Sequence, residues 1–182
     1  VQIPEGYSCR QIFQLLEEKG VATVADLEEY AANGELDDYW FLEGVERGSP
    51  NCLEGFLFPD TYDFYKNSSP REVLEKLMDN FDHRFDEELQ AQISTLNDHL
   101  AALMRKDGRS EETIAASRFT VRDVIIVASL IEKETANNTE SFTIASVIYN
   151  RLDGPGDKGG TYGMLQVDAA LLYALPDHEG GI

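Results

Sequence analysis

The strongest constraint on the fold is the segment 124–131, in which every residue except Ser129 is apolar and which ends at Glu132, Lys133 and Glu134. A helix that is apolar nearly all round is usually buried, so we expect residues 121–134 to form the central, buried helix. An ionised carboxylate is costly to bury unless it is paired or takes up a proton. A carboxylic acid kept neutral near pH 7 can serve as a general acid, so the charged triplet is a candidate catalytic site.

Helix geometry limits what the two glutamates can do together. In a helix, Glu132 and Glu134 lie about 200° apart around the axis, so they cannot both face one site. They are therefore not the closely opposed carboxylate pair of a retaining glycosidase unless the helix ends between them. A solvated charged triplet at a helix end is the alternative, and the pattern alone favours it.

Four helix starts can be predicted from polar residues that are followed, three positions later, by an acid or an amide. These pairs are Ser8 with Gln11, Thr23 with Asp26, Ser69 with Glu72, and Thr120 with Asp123. Pro70 directly after Ser69 strengthens the third start, which should open a long helix. Gly20 and Asn33-Gly34 predict the ends of the first two helices.

The other segments predict a mixed but helix-rich fold. The aromatic stretch 52–65 alternates in a way that predicts a strand, a turn and a second short extended piece. We expect the core of this stretch to contain Phe56, Phe58 and Phe64. Tyr62 is the aromatic residue that we expect to lie outside the core. Residues 104–112 predict a polar loop, 138–152 an amphipathic helix, and 153–160 an exposed loop before a last apolar segment. We therefore expect an α+β, helix-rich fold.

Composition excludes several classes of function. The chain has 182 residues, and its formal net charge of −19 repels phosphate backbones and anionic membrane surfaces, so we expect no nucleic-acid partner. Its apolar runs are too short to cross a bilayer. Cys9 and Cys52 lack metal-like spacing and could be bridged or free. The three histidines are scattered, so neither a metal site nor a Ser-His-Asp triad is supported.

Four motifs, "LEGFLFPDTYDF", "ASLIEKET", "ASVIYNRL" and "GMLQVD", occur in an order and spacing that resembles the YceG-like endolytic murein transglycosylases, the MltG family. The resemblance covers essentially the whole chain. It implies a small LysM-like subdomain over residues 1–50 and a catalytic domain over 51–182. The family continues beyond the end of this sequence, so we expect the C-terminal part of the catalytic domain to be missing.

The resemblance implies an enzyme that cleaves the bond between N-acetylmuramic acid and N-acetylglucosamine within peptidoglycan strands and leaves 1,6-anhydro ends. One glutamic acid acts first as acid and then as base, with no cofactor. The match to the second glutamate of the motif assigns this role to Glu134, with Glu132 as the runner-up. A hydrolytic muramidase and a non-catalytic glycan-binding or scaffold module are the alternatives.

By the same resemblance, six further residues are candidate substrate contacts: Glu54, Asp60, Tyr62, Asn150, Gln166 and Asp168. Each has a structural alternative, such as a turn residue for Asp60 or a helix cap for Asp168. The family pattern reads "QTDPT" where this chain has "QVDAA", which changes the loop around Gln166 and Asp168.

The implied partners are glycan strands and peptidoglycan synthases. The implied location is the outer face of the bacterial cytoplasmic membrane, through an anchoring segment absent from this soluble chain.

Overall fold

The computed structural model describes residues 1–36, 38–135 and 139–152, together with residues 165, 167, 168, 170 and 173. Seven α-helices and two short 3-10 helices, Trp40–Leu42 and Pro50–Leu53, lie within these residues. The α-helices are α1 (Cys9–Glu18), α2 (Val24–Asn33), α3 (Pro70–Arg84), α4 (Glu87–Lys106), α5 (Glu111–Ala116), α6 (Val121–Glu134) and α7 (Ser141–Leu152). The prediction of a helix-rich fold is confirmed.

Side-chain caps start the helices where the sequence predicts them. Ser8 accepts a hydrogen bond from the Gln11 N–H, and the Gln11 side chain accepts one in return from the Ser8 backbone. The other three predicted caps form as well, namely Thr23 with Asp26, Ser69 with Glu72, and Thr120 with Asp123. Two helices, α4 and α5, are not predicted by the sequence patterns, and they reduce the predicted loop 104–112 to residues 107–110.

The chain divides into two compact units, residues 1–124 and 125–182. In the first unit, the N-terminal residues pair with a segment about sixty positions later. Gln2 and Thr61 form an isolated antiparallel bridge. The Ile3 N–H donates to the Asp60 carbonyl at 2.9 Å, and the Tyr62 N–H donates to the Val1 carbonyl at 2.8 Å. This pairing holds the segment that carries Asp60 and Tyr62 against the N-terminus.

The prediction of strands in residues 52–65 is wrong, because the described residues there form only the bridge at Thr61. The Phe56 N–H donates to the Leu53 carbonyl, which makes a turn. The Phe58 N–H donates to the Leu77 carbonyl of α3, so its partner is a helix and not a neighbouring strand.

Aromatic rings from three parts of the first unit form the centre of its core. The ring centroids of Phe41 and Phe81 lie 4.7 Å apart, and Phe56 lies 5.3 Å from each of them. All three side chains are at most 3% exposed. Phe41 and Phe56 are stacked, and Phe81 meets both rings edge-on, which are arrangements in which aromatic rings attract one another. The cluster joins the 3-10 helix Trp40–Leu42 and the aromatic segment to α3.

The prediction that residues 121–134 form a central, buried helix is half right. The helix forms as α6, but Val127 is its one buried residue and Ile126 is 46% exposed. A helix is buried only where neighbouring elements cover its circumference. Most of the other apolar residues of α6 are only half-buried, so the described part of the chain covers this helix incompletely. No described helix is both long and apolar enough to cross a bilayer.

Gly34 ends α2 at a position with no room for a side chain. A Cβ atom there would lie 2.6 Å from the Tyr30 carbonyl oxygen and 2.7 Å from the Tyr30 ring. Because the first of these atoms belongs to the backbone, the helix end itself would have to move. We expect Gly34→Ala to lower the free energy of unfolding by about 1–3 kcal/mol, as overpacking usually does, measured by urea denaturation.

The adjacent, exposed Asn33 provides the control for this prediction. Asn33→Ala removes only a hydrogen bond to the exposed side chain of Glu29 and should change the free energy of unfolding by no more than about 0.5 kcal/mol. Equal denaturation midpoints for the two variants would contradict the steric argument.

Candidate active site

Glu54 lies at the N-terminus of α1. Its two carboxylate oxygens accept from the Cys9 N–H at 3.0 and 3.2 Å, where the helix presents unpaired donors and a partial positive charge. Burial raises the pKa of the Cys9 thiol, and the nearby Glu54 carboxylate raises it further. Cys9 and Cys52 are both free and buried, so the structure contains no bridge between them.

Asp60 is a half-buried carboxylate held by three donors. Its Oδ1 accepts from the Thr61 N–H at 2.7 Å, and its Oδ2 accepts from Asn80 Nδ2 at 3.1 Å and from Arg84 Nη2 at 3.3 Å. The Thr61 hydrogen bond, followed by that of Asn80, lowers the pKa of Asp60 below its ordinary value, and the Arg84 charge contributes in the same direction. The side chain is thus fixed in position and kept ionised.

Tyr62 is buried at 6% exposure, so the prediction that it is the exposed aromatic of its segment is wrong. Its hydroxyl donates to the Phe58 carbonyl at 2.7 Å and accepts from Asn80 Nδ2 at 2.9 Å. Burial raises the pKa of the Tyr62 phenol, which keeps it protonated near neutral pH. Phe58 and Phe64, predicted as core residues, are only half-buried, whereas Phe56 is fully buried.

The structure brings Asp60 and Tyr62 together through Asn80, a residue that the sequence analysis did not identify. Glu54 does not share this hydrogen-bonded cluster in the described structure and instead caps α1. The sequence signal for Asn80 is weak. It lies on the polar side of an amphipathic helix, where most residues only contact solvent.

The two glutamates of the charged triplet lie in the second unit, at the end of α6. The helix includes both Glu132 and Glu134, so the prediction that they point to opposite sides is confirmed. Both side chains are exposed, which agrees with the alternative that the pattern alone favours, a solvated charged triplet at a helix end. The Thr135 N–H donates to the Ile131 carbonyl at 2.9 Å, which continues the helical hydrogen bonding past Glu134.

The remaining predicted contacts are also in the second unit. Asn150 lies in α7 with an exposed side chain, and Asp168 is exposed. Gln166 lies outside the described residues. Among the described residues, no group of three or more histidine, cysteine or acidic side chains could hold a metal ion.

The geometry provides two kinds of carboxylate. Asp60 is ionised and fixed by its donors, which suits an acceptor for hydroxyl groups of a ligand. Glu132 and Glu134 are accessible to solvent at a helix end, where a side chain can exchange protons with a bound molecule.

The lowered pKa of Asp60 predicts how stability depends on pH. An acid whose pKa is lower in the folded than in the unfolded chain stabilises the fold when it is ionised, and this contribution disappears as the pH falls through the lowered pKa. The stability difference between wild type and Asp60→Asn should therefore be largest near pH 6 and shrink below about pH 4, as measured by Tm. Asp63→Asn, at an exposed neighbour whose carboxylate accepts no hydrogen bond in the described structure, should follow wild type throughout. A constant difference for Asp60→Asn would refute the argument.

The comparisons with known proteins agree on one family. The chain matches the model of the YceG-like family over residues 1–182. It is 30% identical over 189 residues to the endolytic murein transglycosylase of Streptococcus pneumoniae strain D39, covering 94% of this chain and 28% of that protein. It is 27% identical over 195 residues to the endolytic murein transglycosylase of Bacillus subtilis strain 168, covering 98% of this chain and 44% of that protein.

A solved structure has the same fold. The crystal structure of a YceG-like protein from Listeria monocytogenes matches with a TM-score of 0.66 at 23% identity, covering all of this chain and 53% of that one. The chain thus spans less than half the length of the two curated relatives. Since the family model matches every part of the sequence, from residue 1 to residue 182, the chain belongs to the YceG-like family.

Proposed function

We propose that this chain is part of a lytic transglycosylase that cleaves the bond between N-acetylmuramic acid and N-acetylglucosamine inside peptidoglycan strands. The observation that carries the proposal is the match to the YceG-like family across all 182 residues, with relatives named endolytic murein transglycosylase in two organisms. The acidic character of the chain fits a substrate that is recognised through its hydroxyl and amide groups.

In the proposed reaction, one glutamic acid gives its proton to the glycosidic oxygen, and the bond from that oxygen to C1 of the muramyl residue breaks. The muramyl 6-hydroxyl attacks C1, and the glutamate carboxylate takes the hydroxyl proton. The product ends in a 1,6-anhydro ring, and water is not consumed. A single carboxyl group is returned to its starting state, so no second carboxylate and no cofactor are required.

We assign this role to Glu134, with Glu132 as the runner-up. Because α6 directs them to opposite sides, only one of them can face a bound strand. Glu134 is exposed in the structure, so the fold alone does not exclude water from it. A bound glycan strand would do so, and exclusion of water favours the neutral acid that the first step needs.

The other family positions serve as substrate contacts or supports in this proposal. Asp60, Asn150, Gln166 and Asp168 would accept or donate hydrogen bonds to the sugars. Glu54 and Tyr62 would hold the neighbouring backbone, because their polar atoms already bond to the protein. In the first unit, Asp60 is half-buried and fixed by hydrogen bonds, as Glu54 also is at the start of α1.

We further propose the division into a LysM-like subdomain, residues 1–50, and a catalytic domain, residues 51–182, in an α+β fold. The pair of helices α1 and α2, which precedes the aromatic segment, supports a small N-terminal subdomain.

The whole protein would be anchored in the cytoplasmic membrane with its catalytic part outside. Its partners would be glycan strands and the peptidoglycan synthases that make them.

The decisive experiment incubates purified glycan strands with wild type, Glu134→Gln and Glu132→Gln, followed by mass spectrometry of the released fragments. Glutamine keeps the shape of the side chain and removes the transferable proton. We expect wild type and Glu132→Gln to give anhydromuramyl ends, and Glu134→Gln to be slower by at least about 100-fold, the usual contribution of a general acid.

The other outcomes separate the alternatives. Loss of products with Glu132→Gln alone would move the catalytic role to Glu132. Reducing ends in place of anhydro ends would show a hydrolytic muramidase. Glycan binding without products from any of the three proteins would favour a binding or scaffold module.

A further inference from the structure

Asn80 in α3 connects Asp60, a proposed substrate contact, with Tyr62, a proposed support of that segment, through one amide group. Its Nδ2 donates to Asp60 Oδ2 at 3.1 Å and to Tyr62 Oη at 2.9 Å. A carboxylate oxygen can only accept, so the nitrogen of the amide must face Asp60. Tyr62 donates its own proton to the Phe58 carbonyl, so its oxygen is an acceptor toward Asn80. The direction of both hydrogen bonds is therefore fixed by the partners.

The face of α3 that carries Asn80 contacts the aromatic segment on both sides of this amide. Lys76 and Arg84, one turn before and one turn after Asn80, place their charges over aromatic rings. The Lys76 Nζ lies 5.4 Å from the Phe64 ring centroid, and the Arg84 guanidinium lies 5.6 Å from that of Phe58. Asn80 thus lies at the centre of the contact that fixes this segment on α3.

Asn97 shows what a purely structural amide looks like in the same unit. It is 6% exposed, its Nδ2 donates to the Phe119 carbonyl at 2.9 Å, and its Oδ1 accepts from the Phe119 N–H at 2.7 Å. Both of its polar atoms are used by the backbone. Asn80 is half-buried and bonds to two side chains, and its Oδ1 accepts no hydrogen bond from the described residues.

We propose that Asn80 is a positioning residue for glycan binding, which holds Asp60 and Tyr62 in the arrangement that receives a sugar hydroxyl. The three donors to Asp60 use three of about four lone-pair sites and leave one for a ligand. An acceptor that is already fixed loses little conformational entropy on binding. This inference rests on the proposed function, because it takes the glycan strand as the ligand of Asp60.

The test compares Asn80→Leu with Asn97→Leu, each combined with Glu134→Gln so that bound strands are not cleaved. Calorimetry measures the Kd for soluble, uncross-linked glycan strands at a temperature where all proteins are folded. We expect Asn80→Leu to raise Kd by about tenfold, the effect of one hydrogen bond to a charged group. We expect Asn97→Leu to destabilise the protein but to leave Kd within about twofold.

Two further measurements separate positioning from a general loss of structure. With Glu134 restored, Asn80→Leu should raise KM about tenfold and leave kcat within about twofold, because the reacting groups are unchanged. Carbon-13 NMR of the Asp60 carboxyl should show a higher pKa in Asn80→Leu, because a donor to the charged form has been removed. Asn80→Ala provides the same readouts if the leucine variant does not fold.

The possible results distinguish the positioning role of Asn80 from the proposed transglycosylase activity. Unchanged Kd and KM in the Asn80 variants, with anhydro products from wild type, would overturn the role of Asn80 and leave the proposed function intact. Weaker binding by the Asn80 variants, without products from wild type, would support Asn80 and refute the catalytic proposal. Absence of glycan binding by the Glu134→Gln protein, together with absence of products from wild type, would overturn both.

Discussion

The pairing of the N-terminal residues with the segment around Thr61 is the constraint on which the first unit depends. Two backbone hydrogen bonds, from the Ile3 N–H to the Asp60 carbonyl and from the Tyr62 N–H to the Val1 carbonyl, close a loop of about sixty residues that includes α1 and α2. Closing a long loop costs conformational entropy, and buried side chains must offset that cost. The aromatic cluster of Phe41, Phe56 and Phe81 supplies part of this burial.

This pairing also determines the surroundings of Asp60. The backbone of Asp60 pairs with the N-terminus, while its side chain bonds to Asn80 and Arg84 of α3. The carboxylate is therefore held between two parts of the unit that are far apart in sequence. Glu54 has a comparable role at the start of α1, where it bonds to the Cys9 N–H. Glu54 and Asp60 of the aromatic segment thus stabilise the fold in ways that their spacing alone does not reveal.

The sequence predicts local structure well here because caps act over three or four residues. Ser8 with Gln11 and Ser69 with Glu72 form as predicted, since nothing distant competes with them. The strand prediction around Phe56 fails because alternation reports burial, and here the buried rings pack against α3 without joining a sheet. The burial of α6 was overpredicted for a related reason. An apolar sequence shows that a helix can be buried, whereas the neighbouring elements decide whether it is.

The candidate site was only partly predictable, and the acidic character of the chain explains why the missing part matters. With a net charge of −19, the protein would gain no general electrostatic attraction to the proposed glycan ligand, so affinity would have to come from a few well-placed hydrogen bonds. Such bonds are effective only when their groups are already fixed, and fixing Asp60 requires donors from α3, twenty or more residues away. The family motif contains the acceptor but not these donors. The motif that contains Asp60 therefore has to be interpreted together with α3, because that helix supplies Asn80 and Arg84 as donors to the Asp60 carboxylate.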